Sequence, residues 1–125
     1  MSDGVSILIV EDEPDMLMAL SIRLESIGFN VITAADGLEG LTKARQEYPD
    51  LILLDIMLPK MDGFKVCQML KLDQKYKHIP IVLLSAKSSE RDIQMGQQVG
   101  ANAYLTKPFR TDELMRVIKQ SLSGS

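Results

Sequence analysis

The chain has one cysteine, Cys67, and one histidine, His78. A lone cysteine rules out an internal disulfide and fits a reducing compartment, so a cytoplasmic protein is expected. Without a second His or Cys nothing suggests a His- and Cys-ligated metal site of the kind zinc takes. No apolar run approaches the roughly 18 to 20 residues that span a bilayer. The amino terminus lacks the basic and then apolar segments of a secretory signal, and Met1-Ser2-Asp3-Gly4 reads as a short polar lead-in. A net charge of −3 provides no broad basic field for nucleic acid. Internal repeats, low-complexity stretches and domain boundaries are also missing.

What remains is an ordinary globular composition, 46% apolar and 25% charged over 125 residues. That length suits one domain with a real core and is short for two. A single domain over 1–125 is expected, with its core at about 6–122. Residues 123–125 fit a natural tail, a cloning scar or the start of a linker.

The chain is organised around Leu51-Ile52-Leu53-Leu54-Asp55-Ile56-Met57-Leu58-Pro59-Lys60-Met61-Asp62-Gly63. An apolar run broken by Pro and Asp-Gly fits a strand buried on both faces. Such strands belong to parallel sheets, where ligands bind outside the carboxyl ends. Asp55 stands at such an end, as a turn residue closing the strand or as a working carboxylate.

Four more short runs read as strands: residues 6–10, 31–34, 81–85 and 103–106. Helical patterns alternate with them. Pro14 to Ile27 carries Leu17, Leu20, Leu24 and Ile27 at helical spacing and stops at Gly28. Asp36-Gly37 opens a helix with Leu38, Leu41 and Ala44 on one face, ending near Pro49. Asp62 caps a helix bearing Phe64, Cys67 and Leu70. A weaker helix holds Ile93 and Val99, and Thr111 caps a last one with Leu114, Val117, Ile118 and Leu122 inward. Five strands alternating with five helices predict an α/β fold: a parallel sheet, right-handed crossovers and helices on both faces. Strand order is not readable from periodicity.

Four of the five strands end in polar residues: Glu11-Asp12, Asp55, Ser85 and Thr106-Lys107. Each alone has an ordinary role as helix-dipole acid, turn hydroxyl or solvated lysine. Parallel strands put them all on one sheet edge, and the coincidence favours a site. Clustered carboxylates repel unless one protonates or a cation lies between them. An oxygen-only donor set selects a hard cation, Mg²⁺ in the usual case. A carboxylate flanked by such a cation, a lysine and a hydroxyl suits a phosphoryl group, and carboxylates do form aspartyl-phosphates.

These residues resemble the receiver domain of two-component response regulators, the CheY-like family. The resemblance runs from about Ile7 to Leu122 and is carried by Glu11-Asp12, by the stretch from Leu54 to Gly63, by Ser85-Ala86 and by Leu105-Thr106-Lys107-Pro108-Phe109. It implies a flavodoxin-like, doubly wound five-stranded sheet of order 2-1-3-4-5. It implies that Asp55 accepts a phosphoryl group from a histidine kinase or a histidine phosphotransfer protein. Asp12, Asp55 and the Met57 backbone carbonyl would bind Mg²⁺, or Mn²⁺ in its place, with Glu11 completing the acidic pocket. Ser85 would hydrogen-bond the phosphoryl, Lys107 would pair with it, and Tyr104 would be the switch aromatic.

The same family implies a cis Lys107-Pro108 bond, and places Met57 and Lys87 where phosphoryl lifetime is tuned. The domain would be a phospho-acceptor with slow autodephosphorylation, not a conventional enzyme. It would act through the surface of the fourth helix, fifth strand and fifth helix, as a monomer or a phosphorylation-dependent dimer. Neither direct nucleic-acid binding nor membrane contact is expected, and the downstream target is left open. Three departures stand out. Glu11 and Ser85 replace the commoner Asp and Thr, and residues 100–104 lack the paired acids of the winged-helix subfamily.

Three other readings compete. A flavin module on this topology would need phosphate donors where Glu11-Asp12-Glu13 stands. An aspartyl-phosphate phosphatase would place an acid where Met57 is. A degenerate receiver, serving only as an interaction module, would not need the full acid, hydroxyl and lysine set. Cys67 reads as core packing, His78 as a surface residue, and the eight methionines as core filler.

Overall fold

The computed structural model describes residues 4–124, so Met1-Ser2-Asp3 and Ser125 lie outside the described residues. Five strands alternate with five helices: β1 (Ser6–Val10), α1 (Pro14–Ile27), β2 (Asn30–Ala34), α2 (Gly37–Glu47), β3 (Leu51–Asp55), α3 (Gly63–Lys71), β4 (Ile81–Ser85), α4 (Glu90–Gln98), β5 (Ala103–Thr106) and α5 (Thr111–Gly124). All pairings are parallel and the order is β2-β1-β3-β4-β5. This is the predicted doubly wound sheet. The last helix runs on through Ser123 and Gly124, into the stretch expected to be tail.

The apolar runs divide by parity, because successive strand side chains face opposite ways. Ile7, Ile9, Leu51, Leu53, Val82 and Leu84 pack with Leu20 and Leu24 of α1 and Leu114 and Ile118 of α5. Leu8, Val10, Ile52, Leu54, Ile81 and Leu83 pack on the other face with Leu41 and Ala44 of α2 and Val66, Cys67 and Leu70 of α3. The central strands β3 and β4 are buried at every position, which is why they show no polar alternation. Cys67 lies in this core with its thiol pushed up to about 11 by burial, so it behaves as a small apolar group.

Several helix details differ from the sequence reading. In α2 the buried stripe is Gly37, Gly40, Leu41 and Ala44, and Leu38 is 50% exposed. The stripe starts at the glycine, so Leu38 falls one position off the face. Ile27, in the last turn of α1, is exposed, as is Ile93 on α4, where only Gly96 is buried. Thr111 is the first residue of α5 and not its cap: the Arg110 carbonyl accepts from the Leu114 N–H, as a capping position does. Asp62 caps α3 as expected, its carboxylate accepting from the Lys65 N–H at 3.0 Å. Among the described residues no helix is long and apolar enough to cross a membrane.

Candidate functional site

Register brings the polar strand ends together. Val10 pairs with Leu54, Asp55 with Leu84, and Ser85 with Thr106. The residues that follow β1 and β5 therefore flank the end of β3. Glu11 is 1% and Asp55 6% exposed, whereas Asp12 at the rim is open to solvent. One carboxylate oxygen from each of the three lies within 4.8 Å of the others. Lys107, delivered by β5 and followed by a cis bond to Pro108, reaches both buried acids. Its Nζ stands 2.9 Å from Glu11 Oε1 and 3.2 Å from Asp55 Oδ2.

The remaining oxygens are held by backbone donors. Glu11 Oε2 accepts from the Glu13 N–H at 3.1 Å, and Asp55 Oδ1 from the Met57 N–H at 3.3 Å. Both buried carboxylates are thus fixed at each end. Three carboxylates against one ammonium leave the notch with a formal surplus of two negative charges. Oxygen-only donors, one of them solvent-facing, with that surplus fit a hard divalent cation that keeps waters, such as Mg²⁺.

Charge and burial act differently on the two ends of the Glu11–Lys107 pair. Burial is the largest influence on Glu11 and raises its pKa, with Asp55's charge adding to it; the Lys107 hydrogen bond and the Glu13 N–H only partly offset this. Burial is also the largest influence on Lys107 and opposes its charge, but the Glu11 bond and the Asp55 and Glu11 charges together outweigh it. Its ammonium is held above the ordinary value. The folded state therefore keeps the Glu11 proton more tightly than the unfolded chain. Between the ordinary carboxylate value of 4.5 and the raised one, stability falls as pH rises. Urea unfolding from pH 4.5 upward, without divalent metal, is expected to show that fall in the native chain and a flatter profile in Glu11→Gln. Identical profiles would contradict the assignment.

Ser85 is fully buried at the end of β4. Its Oγ accepts from the Lys87 N–H at 3.0 Å. One strand over, the half-buried Tyr104 donates its hydroxyl to the Lys87 carbonyl at 2.7 Å, and burial raises its phenol above the ordinary value. The Lys87 backbone is therefore shared between Ser85 and Tyr104. Sequence reasoning named Lys87 without this role, because a main-chain hub leaves no side-chain signal. It also missed Gly63, where a Cβ would stand 2.8 Å from Ile56 Cα and overlap the Asp55 carbonyl. Only glycine lets α3 start so close behind Asp55. Met57 is exposed at the lip of the notch, and His78 is on the surface beside Tyr48, with ring centroids 5.5 Å apart.

A doubly wound sheet with an acidic notch and a lysine at its carboxyl edge is the CheY-like flavodoxin fold. The family model described as response regulator receiver domain matches residues 7–119, and the chain belongs to that family of two-component signal-transduction domains. It is 46% identical over 119 residues to the alkaline phosphatase synthesis transcriptional regulatory protein PhoP of Bacillus subtilis, covering 95% of this chain and 49% of PhoP. The chain thus spans about half the length of that curated relative. Vibrio cholerae chemotaxis protein CheY4 superposes with a TM-score of 0.89 at 34% identity, covering 94% of this chain and 98% of that one. The receiver domain of sensor histidine kinase PA1611 from Pseudomonas aeruginosa, solved with magnesium coordinated in its active-site cleft, gives a TM-score of 0.88 at 34% identity, covering 98% of this chain and 99% of that one.

Proposed function

We propose that the chain acts as one receiver unit in which Asp55 takes a phosphoryl group from a phosphohistidine on a histidine kinase or phosphotransfer protein. The observation that carries this is the convergence of Glu11, Asp12, Asp55 and Lys107 within hydrogen-bonding or metal-ligand distances. Asp12, Asp55 and the Met57 carbonyl would hold Mg²⁺, with Glu11 beside them, and the ion would neutralise carboxylate and phosphoryl oxygens. A carboxylate oxygen of Asp55 attacks phosphorus, forming the O–P bond as the donor's N–P bond breaks, and the leaving imidazole takes up a proton. Lys107 turns its ammonium toward the phosphoryl oxygens while Glu11 still tethers it. Ser85 donates its hydroxyl to the same group, which loosens its contact with the Lys87 N–H.

The Lys87 carbonyl is Tyr104's partner, so that adjustment reaches the surface of α4, β5 and α5. Phosphorylation then shifts a pre-existing equilibrium between arrangements of the Ser85, Lys87 and Tyr104 group. The test uses acetyl phosphate as donor and intact mass as readout. In Mg²⁺ the native chain is expected to gain one phosphoryl group, and in excess EDTA none. An unchanged native mass in Mg²⁺ would favour a receiver that serves only as an interaction module and would overturn the proposal.

A further inference from the structure

The loop at residues 56–62 joins β3 to α3 and carries Met57 at the lip of the notch. Its inner half is tied to the sheet, since the Ile56 N–H donates to the Leu84 carbonyl and the Gly63 N–H closes back on the Ile56 carbonyl at 2.8 Å. Its outer half is tied elsewhere. The Pro59 carbonyl accepts from the Met61 N–H at 2.7 Å and from the Gly37 N–H, in the first turn of α2, at 3.2 Å. Lys60, with a left-handed φ of 68°, places its Nζ 3.6 Å from the Asp36 carboxylate. Among the described residues, these two contacts with the start of α2 are the hydrogen bond and the ion pair that anchor residues 59–61 to another element.

Gly37 makes the approach possible. A Cβ there would overlap the Met61 carbonyl group, coming 2.6 Å from its carbon and 2.9 Å from Met61 Cβ. The neighbour is backbone, so no side-chain rotation relieves the clash. The helix side is stiff. Asp36 caps it by accepting from the Glu39 N–H at 2.7 Å, and Glu39 reaches back to the Ala35 N–H at 2.7 Å. One turn on, the buried Gly40 lies against Val10, where a Cβ would stand 2.7 Å from Cγ1. The loop side is exposed at Pro59 and Lys60, so the loop is the part that must yield.

We infer that Gly37 is a positioning residue for the divalent metal: its bare Cα lets α2 seat the 56–62 loop, and thereby fixes Met57 at the notch. This rests on the reading that Glu11, Asp12 and Asp55 hold such an ion. By reciprocity, an ion that immobilises the loop also strengthens the Gly37 N–H contact with Pro59. That N–H belongs to the first helical turn and has no partner within α2.

Calorimetric titration of the full chain with MgCl₂, at a temperature where the metal-free protein is folded, is the test. Gly37→Ala is expected to bind about ten-fold or more weakly, the scale of an outer-shell loss, and Asp12→Asn to bind weakly or not at all. Amide exchange of the native chain supplies a second readout that needs no variant. Saturating Mg²⁺ is expected to slow the Gly37 amide several-fold and leave the Glu39 amide, which is bonded within the same turn, unchanged. Native heats with Gly37→Ala affinity equal to native, or Gly37 exchange indifferent to Mg²⁺, would overturn this inference alone. Absence of binding by the native chain would overturn the metal reading beneath it.

Discussion

Asp55→Asn is expected to take up no phosphoryl group from acetyl phosphate in Mg²⁺, under conditions that load the native chain. The substitution keeps the size of the side chain and an oxygen able to accept from the Met57 N–H. It removes the carboxylate proposed as nucleophile, since an amide oxygen is a poor one, and withdraws one of the charges proposed to hold the metal. Unfolding does not explain the loss. Lys107 keeps Glu11 as partner at 2.9 Å, and one of two buried like charges has been discharged. The variant is therefore expected to melt, without metal, at or above the native temperature. Uptake equal to native would place the acceptor elsewhere, and an unfolded variant would mean that Asp55 is part of the scaffold.

Lys107→Ala is expected to separate phosphorylation from its consequence. Lys107 is the cation between two acids that are 1% and 6% exposed. Without it, Glu11 and Asp55 face each other with no counter-charge, which costs about 2–3 kcal/mol after allowance for partial exposure and protonation. On the proposed metal reading Mg²⁺ would supply the missing charge, so most of that loss is expected to return on adding the metal. Phosphoryl uptake is expected to persist, because the proposed attack needs the carboxylate and the ion. The phosphoryl then has no ammonium to draw it toward β5, and its effect on the Lys87 and Tyr104 amide shifts should fall several-fold. A full phosphate-linked shift in Lys107→Ala would show that Ser85 alone couples the site to Tyr104. Unchanged metal-free stability would show that the two acids do not need the lysine.

The sheet and the polar edge of the candidate site were legible in the amino-acid order because of one physical circumstance. Strands buried on both faces must be unbroken apolar runs, so Ile7–Val10, Leu51–Leu54 and Ile81–Leu84 stand out, and the charged residues that punctuate them mark the sheet edge. Asp55 and Lys107 were found as punctuation. What stayed hidden depends on contacts between distant segments. Leu38 fits an apolar stripe on paper, and it is exposed because Gly37 and Gly40, not Leu38, set the face that meets the sheet and loop. Thr111 has a capping side chain, yet the chain enters α5 one residue earlier. The Lys87 hub is main chain, and main-chain partners leave no trace in residue type. Gly37 reads as a helix-start residue and Gly63 as part of the break after Asp55; that each faces a backbone carbonyl of another segment appears only in three dimensions.

The central claim is that the phosphoryl group resides on the carboxylate at the end of β3. Acyl phosphates are reduced by borohydride, which would convert the loaded aspartate to homoserine and mark its position permanently. After phosphorylation in Mg²⁺, reduction and proteolysis, peptide mass spectrometry is expected to find homoserine at position 55 and aspartate at positions 12 and 62. Homoserine at another aspartate, the corresponding five-carbon alcohol at a glutamate, or neither in a chain that had gained phosphate, would contradict that claim.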